Sequence, residues 1–273
     1  MTAPGALATA TLVLFALGLV LLLGVRSNDG SLLGGAFTLS NFAVALTDPL
    51  YATVIVRSLV IAGLVTLATV VAAYPVAYYL AFHAGKHRAL LLFIVTLPFW
   101  ISYLLRVFAW KVVLAYNGVL NSALMTTGLT SEPTLAFLNT PAAVIVTLAH
   151  AYAAFAILPI YVALENVPRS LIEAAEDLGA RPTSVFRRVI LPMSMPGVMA
   201  AALVVFVPTV GDYVTPALVG GPDSTMIGSM IQAQFGKAND WPFGAALSVI
   251  VMLVILSVVL AAGYADKKLG SRS

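Results

Sequence analysis

Six long apolar segments dominate this chain and restrict it to a helical fold in a membrane. A helix needs roughly 20 apolar residues to cross the hydrocarbon core of a bilayer. The segments that meet this length are residues 6–25, 54–82, 89–115, 141–164, 196–219 and 243–265. Only 9% of the 273 residues are charged, whereas a soluble domain carries about 25%. We therefore predict an all-α membrane protein with six transmembrane helices in a single domain over residues 1–273.

Other membrane and secreted classes fit the sequence less well. The apolar segments are continuous rather than alternating, which argues against a porin-like barrel. The first segment has no Lys or Arg before it and no clear small-x-small cleavage site before Arg26. We therefore expect an uncleaved helix there rather than a signal peptide. The chain has no Cys, which excludes disulfides and thiolate chemistry.

Positive residues concentrate in two connecting loops and the C-terminal tail, and their distribution predicts the orientation of the chain. With six spans, these regions share one face of the membrane: Lys86 and Arg88; Arg169, Arg181, Arg187 and Arg188; and Lys267, Lys268 and Arg272 in the C-terminal tail. The opposite loops hold chiefly Arg26 and Lys237. Because Lys and Arg are enriched in cytoplasmic loops, we expect both termini to be cytoplasmic.

The polar segment 165–195, between the fourth and fifth spans, predicts a helix–glycine–helix elbow. Apolar side chains recur there with the spacing of one helical face: Leu171, Ala174, Ala175 and Leu178. Pro168 suits the first turn of this helix, and Pro182 can open a second short helix. Gly179 between them can adopt a left-handed C-terminal conformation. We expect Leu191-Pro192 to end the second helix and lead into the fifth span.

The spacing of this elbow resembles the coupling loop of ABC-importer permeases, written EAA–x3–G–x9–I–x–LP. The matching positions are Glu173, Ala174, Ala175, Gly179, Leu191 and Pro192, with Val189 at the Ile position. The resemblance implies the type I ABC importer permease fold. It also implies that the elbow docks in a groove of an ATPase subunit, with Glu173 and Gly179 least tolerant of change. An amphipathic surface hairpin without a partner is the alternative.

Further motifs resemble the permeases of bacterial spermidine/putrescine importers. They are Asp48-Pro49-Leu50-Tyr51, Leu97-Pro98-Phe99-Trp100, the run from Gly211 to Asp223, Gln232-x-Gln234-Phe235 and the run from Asp240 to Ala246. The resemblance implies a polyamine importer of the inner membrane that works by alternating access. Its other subunits would be a second permease, two ATPase copies and a periplasmic or lipid-anchored solute-binding protein. The chain has no GxxxxGK[ST] phosphate loop, so ATP and Mg would bind the ATPase and no cofactor would bind here.

Asp212 is the strongest candidate for a residue of the transport pathway. A carboxylate inside a membrane costs about 2.5–3.5 kcal/mol on insertion scales and usually faces a cavity or a partner. Pro208, Gly211 and Pro216 surround it in the predicted fifth span and favour a bend. Tyr213 beside it would offer a cation–π contact to an ammonium group. The alternative is a structural carboxylate paired with a cation such as Arg106.

The remaining candidates have two interpretations each. Trp100 and Tyr103 form either an aromatic pathway wall or an interfacial belt beside the cations Arg106 and Lys111. Asp223, Asp240 and Trp241 either contact the solute-binding protein or cap their own loops. His150 is expected to be a packing residue. His83 and His87 have the i, i+4 spacing of a metal face, but no third ligand accompanies them, so we predict no metal site.

Three competing functions remain at this point. The same type of permease would also suit another small solute, such as an opine, an amino-acid derivative or a metal complex. An ATP-independent secondary carrier would show inverted repeats, which are not evident. A membrane enzyme would need a Ser/His pair, an HExxH or a paired Asp motif, and the sequence lacks them. We therefore predict a non-catalytic transport subunit in a lipid bilayer that binds no nucleic acid.

Overall fold

α-Helices carry the fold, because apolar segments in a bilayer must satisfy their own backbone hydrogen bonds. The computed structural model describes residues 3–29 and 35–270, and for residues 3, 4 and 264–270 it describes the backbone alone. Within these ranges the only β-structure is an isolated bridge between Arg26 and Phe37. Of the basic tail residues, Arg272 and the side chains of Lys267 and Lys268 lie outside the description.

The helices are numbered in chain order. They are α1 Ala3–Gly24, α2 Ser40–Thr47, α3 Pro49–Phe82, α4 Arg88–Thr96, α5 Tyr103–Leu114, α6 Val119–Thr126, α7 Pro141–Glu165, α8 Arg169–Asp177, α9 Pro182–Val185, α10 Leu191–Val210, α11 Val214–Val219, α12 Ile227–Gly236 and α13 Trp241–Gly270. Short 3-10 turns cover Gly85–His87, Leu97–Trp100 and Pro222–Ser224, and a π-helical turn covers Phe186–Ile190.

Among the residues that the structure describes, six helical stretches are long and apolar enough to cross a membrane, which confirms the predicted number of spans. They are Gly5–Gly24, Pro49–Phe82, Tyr103–Thr126, Pro141–Glu165, Pro182–Val210 and Trp241–Gly263. Four of them agree closely with the sequence-based limits. The third and fifth do not.

The third span, predicted as one helix over 89–115, is broken. Helix α4 ends at Thr96, a 3-10 turn follows over Leu97–Trp100, and Ile101 is extended with φ −86° and ψ 135°. Pro98 explains the break, because proline has no backbone N–H to donate to the helix and its ring restricts the residue before it. The spanning stretch begins afresh at Tyr103.

The fifth span, predicted over 196–219, starts and ends earlier. Its helical stretch runs from Pro182 to Val210, so Leu191-Pro192 lies inside a helix and does not end it. The π turn makes this continuation feasible. There the N–H of Leu191 donates to the carbonyl of Phe186, and the wider turn relaxes the backbone next to a proline. Beyond Val210 the helix breaks, and α11 is a separate element.

The described residues form two compact units, and each has its own packing. One unit spans residues 59–224, and the other combines the residues up to 58 with those from 225 onward. In the second unit, α1, α2 and α12 pack on α13, and Tyr51 meets Phe243 edge-to-face at 5.2 Å. The Ser58 hydroxyl there accepts the Ile227 N–H at 2.7 Å. One transmembrane domain over 1–273 stays a prediction.

In the unit 59–224, α7 and α10 pack closely at a glycine. A Cβ on Gly197 would lie 2.3 Å from the Cβ of Ala163 and 2.6 Å from the Pro159 carbonyl oxygen. Near this crossing, the Tyr74 hydroxyl and the buried Ser194 hydroxyl form a hydrogen bond of 2.9 Å. Small residues allow membrane helices to approach this closely, so Gly197 sets the distance between α7 and α10.

We expect Gly197→Val to destabilise the protein, by about 1–3 kcal/mol or more for an overpacked site. The measurement is the fraction that stays monodisperse in detergent during a thermal challenge. Gly63→Val is the matched control, since a Cβ on Gly63, also inside a spanning helix, meets nothing within 4 Å. Equal stability of the two variants would contradict the role of Gly197.

Candidate functional site

The predicted elbow is present, and a Schellman motif closes its first helix. Gly179 has φ +78°, as its predicted left-handed conformation requires. The N–H of Ala180 donates to the Ala175 carbonyl at 3.0 Å, and the N–H of Gly179 donates to the Glu176 carbonyl at 2.8 Å. These two bonds satisfy carbonyls at the end of α8. Pro168 stands just before α8, which begins at Arg169, and Pro182 opens α9 as predicted.

The apolar face of α8 is uncovered in this chain. Leu178 is 88% exposed and Leu171 is 47% exposed, Ala174 is exposed, and Ala175 is half-buried. The Glu173 side chain is also exposed. Among the residues that the structure describes, its carboxylate has no hydrogen bond or ion pair. The elbow therefore presents a narrow apolar strip with a free carboxylate beside it.

The second half of the elbow is anchored in the unit 59–224. Val185 and Ile190 are buried at 3% and 4% exposure. The Phe186 ring packs edge-to-face on Tyr74 at 5.8 Å and on Tyr78 at 6.0 Å. Leu191 and Pro192 continue this anchored segment into α10. The two halves of the elbow thus differ, with α8 projecting and α9 held.

Asp212 lies in the break between α10 and α11 and is 8% exposed. The Tyr103 hydroxyl donates to its Oδ2 at 2.6 Å, and the N–H of Val214 donates to its Oδ1 at 2.9 Å. A hydrogen bond of 2.7 Å also joins the hydroxyls of Tyr103 and Thr215. Breaking the helix exposes backbone donors, and the carboxylate accepts one of them. The result is a buried polar cluster that links α5 to α11.

Arg106 does not pair with Asp212. Its Nη1 donates to the Ala151 carbonyl on α7 at 2.7 Å, and its guanidinium carbon lies 5.9 Å from the centre of the Tyr103 ring. Its Nε is buried without a hydrogen-bond partner in the described part of the chain. The alternative in which Asp212 is held by this arginine is therefore wrong, and Tyr103 takes that place.

A row of aromatic rings continues from Tyr103, and sequence analysis missed half of it. Tyr103 lies 6.4 Å from Tyr152, Tyr152 lies 6.1 Å from Phe155, and Phe155 lies 4.8 Å from Phe99. Tyr152 and Phe155 stand at i and i+3 on α7, a spacing that places two rings on one helical face. That spacing was the available signal for them.

The other predicted pathway residues stand apart from this cluster. Trp100 is 80% exposed and Tyr213 is 47% exposed. Neither has a ring contact or a side-chain hydrogen bond with Asp212 or Tyr103 among the described residues. The structure thus joins Asp212 with Tyr103 and leaves Trp100 and Tyr213 at the surface of the single chain.

The predicted contact residues of the outer loops have different surroundings. Asp223 is exposed in the 3-10 turn Pro222–Ser224. Asp240 caps α13, since its Oδ1 accepts the Phe243 N–H at 3.2 Å. Trp241 is 39% exposed and donates to the Asn239 Oδ1 at 3.1 Å. Capping explains Asp240 on its own, while Asp223 and Trp241 keep accessible surface.

His150 and His83 make aromatic contacts. The His150 ring packs edge-to-face against Trp110 at 5.6 Å, and His83 stacks on Tyr79 at 6.1 Å. No group of three metal-ligating side chains occurs in the described ranges. Arg88 lies outside the spans, and its pKa is raised chiefly because its guanidinium donates a hydrogen bond to the Glu165 carboxylate.

Comparison with known proteins connects this architecture to a family. Residues 73–271 match the binding-protein-dependent transport system inner membrane components. The chain belongs to this family. The permease is 38% identical to the spermidine/putrescine transport system permease protein PotB of Escherichia coli (strain K12), over 90% of this chain and 88% of PotB. It is also 38% identical to the inner membrane ABC transporter permease protein YdcU of the same strain, over 82% and 74% of the two chains.

A solved transporter confirms the fold of this permease. The crystal structure of a bacterial ABC transporter involved in the import of the acidic polysaccharide alginate matches 98% of this chain and 97% of that chain. The TM-score is 0.71 at 18% sequence identity. The similarity confirms the type I ABC importer permease fold that the elbow motif implied.

Proposed function

We propose that this permease forms one half of the membrane pathway of an ATP-driven, binding-protein-dependent importer of polyamines. The substrate class is supported by the 38% identity to PotB across 90% of this chain. We place it in the bacterial inner membrane, with the elbow and both termini in the cytoplasm. The concentration of Lys and Arg on that side supports this orientation.

The uncovered apolar strip of α8 is the observation that carries the proposal. Leu178, at 88% exposure, directly follows the last residue of α8 outside the spans, and exposed apolar side chains that form a patch indicate a docking surface. Its occupant is an ATPase subunit, which receives the strip and pairs with the free carboxylate of Glu173. ATP and Mg bind that subunit and hydrolysis occurs there, so this chain catalyses no reaction.

The complete importer has further subunits. A second, similar permease supplies the other half of the pathway, two ATPase copies drive it, and a solute-binding protein delivers the polyamine. Asp223 and Trp241 are assigned to the surface that meets the binding protein, and Asp240 is assigned to the cap of α13. Closure of the ATPase pair moves the two elbows together, opens the pathway outward and admits the solute. Hydrolysis returns the pathway to its inward-facing state.

Asp212 and Tyr103 are assigned to the pathway, with Tyr213 and Trp100 at its edge. A polyamine carries ammonium groups, which carboxylates and aromatic faces stabilise. In the described conformation, the Tyr103 hydroxyl donates a 2.6 Å hydrogen bond to the Asp212 carboxylate. A passing ammonium group would compete for this acceptor, so the pair suits a transient contact rather than a permanent binding site.

Transport by the assembled complex tests the function. The permease is co-purified with the products of neighbouring genes and reconstituted in proteoliposomes, and uptake of labelled spermidine and putrescine is followed with and without ATP. We expect uptake that requires both ATP and the binding protein. ATPase stimulation by a binding protein loaded with an opine, an amino-acid derivative or a metal complex would support the ATP-driven importer but contradict polyamines as its substrate. Uptake by this chain alone without ATP would contradict the proposal.

A further inference from the structure

The first residue of the coupling helix α8 is bonded to the end of α3. The Nη2 of Arg169 donates to the Ala81 carbonyl at 3.3 Å, and its guanidinium carbon lies 5.6 Å from the centre of the Phe82 ring. Ala81 is in the last turn of α3, where carbonyls have no N–H partner within the helix. A cation at that end also complements the helix dipole. The Arg169 side chain therefore satisfies a free carbonyl at the end of α3 and also fixes the start of α8.

A second connection holds the residue from which α8 departs. Glu165, the last residue of α7, forms an ion pair with Arg88, the first residue of α4. The Arg88 guanidinium carbon lies 5.1 Å from the centre of the Tyr161 ring on α7. Between Glu165 and Arg169 only three residues intervene, and Val167 among them is 3% exposed. The base of α8 is thus held while its far end, at Leu178, is free.

A hollow separates the rest of α8 from α3. It has a volume of about 290 Å³ and is lined on the α3 side by Tyr78 and Phe82 and on the α8 side by Ile172 and Glu176. Side chains packed across an interface can pass a displacement from one helix to another, whereas an open hollow cannot. At the edge of this hollow, the Arg169 side chain extends from α8 to contact α3.

We propose that Arg169 is a positioning residue that transmits movement of the coupling helix α8 to the C-terminal end of α3. The inference rests on the proposed function, because it assumes that an ATPase subunit displaces α8. Without the Arg169 contact, α8 would pivot at residues 166–168 and still present its apolar strip. Docking and ATP hydrolysis would continue, but less of each displacement would reach the spans. Arg169 lies outside the EAA spacing, so that motif does not assign it this role.

The ratio of ATP hydrolysed to solute imported tests the proposal. In proteoliposomes containing the whole complex, we expect Arg169→Ala to raise this ratio about tenfold or more, the effect of losing one charge-assisted hydrogen bond. The amount of co-purified ATPase should not change. Arg169→Lys keeps a cationic donor but loses the planar guanidinium over the Phe82 ring, so it should return the ratio part of the way to the wild-type value. A residue needed only for folding would lower hydrolysis and uptake together and leave the ratio unchanged.

Lys86→Ala is the matched control, since it removes the same charge from the turn between α3 and α4 without a described contact. An unchanged ratio for Arg169→Ala, or loss of the ATPase from its purified complex, would overturn the proposal. The function is judged separately on the wild-type complex. If wild type shows no ATP-dependent uptake of any solute, the proposed function fails, and the inference about Arg169 fails with it.

Discussion

Gly179→Val should nearly abolish ATP-driven uptake while leaving the permease folded. Gly179 has φ +78°, a conformation that a β-branched residue adopts only under strain of about 1–3 kcal/mol. The chain would relieve this strain by turning α8 away from α9, and the apolar strip would no longer meet its partner in register. We expect uptake to fall roughly tenfold or more, since each 1.4 kcal/mol corresponds to about a factor of ten. Labelled polyamine uptake by reconstituted complexes is the measurement.

Gly128→Val is a closely matched control for that experiment. Gly128 has φ +73° and ends α6 with the same two bonds, from Leu129 to the Leu124 carbonyl and from Gly128 to the Met125 carbonyl. A Cβ meets nothing within 4 Å at either glycine. The two variants therefore carry similar strain in different places. A similar loss of uptake in both would show that strain alone, and not the elbow, is responsible.

Asp212→Asn should lower polyamine uptake by about tenfold or more in complexes that assemble normally. The amide keeps an oxygen that accepts the Val214 N–H, now at 2.9 Å from Oδ1, so the start of α11 stays capped. It removes the negative charge that attracts an ammonium group, and a hydrogen bond to a charged group is worth about 1.5–3 kcal/mol. Uptake is measured at limiting and saturating polyamine concentrations, and we expect the larger loss at limiting concentration.

Asp48→Asn controls for the loss of a helix-capping carboxylate. Asp48 Oδ1 accepts the N–H of Leu50, two residues later, at 2.9 Å, which is the geometry of Asp212 with Val214. Tyr103→Phe removes the hydroxyl that donates to Asp212 and keeps the ring. It therefore distinguishes the contribution of the tyrosine hydroxyl from that of the carboxylate. If Asp212→Asn transports as well as Asp48→Asn, the carboxylate is structural and the pathway assignment is wrong.

The sequence was sufficient for features that depend on local chemistry. Hydropathy identified six spans because the bilayer selects apolar segments of one length. The spacing around Gly179 identified the elbow because a left-handed residue is needed to end α8. Both signals lie within about 20 consecutive residues, so no knowledge of the tertiary fold was required.

Features that depend on backbone continuity or distant contacts were missed. Hydropathy reports which segments are apolar enough to lie in lipid, but not whether their backbone is one continuous helix. It therefore missed the break after Pro98 and the extension of the fifth helix back to Pro182. The carboxylate of Asp212 was recognised, but Tyr103, its partner, lies 109 residues away in sequence. Arg169 was counted as one of several basic residues, because its contact with Ala81 spans 88 residues.

The stretch Pro182–Val210 has a consequence for chimeric permeases. Its 29 residues rise about 1.5 Å each, so one rod of roughly 43 Å runs from the start of the second half of the elbow to Val210, just before the break that contains Asp212. Along such a rod, adding or deleting a single residue rotates everything beyond it by about 100°. The π turn at Phe186–Ile190 already contains one residue more than an α-turn. Elbows exchanged between permeases must therefore preserve helical phase as well as sequence, or Asp212 will face away from Tyr103.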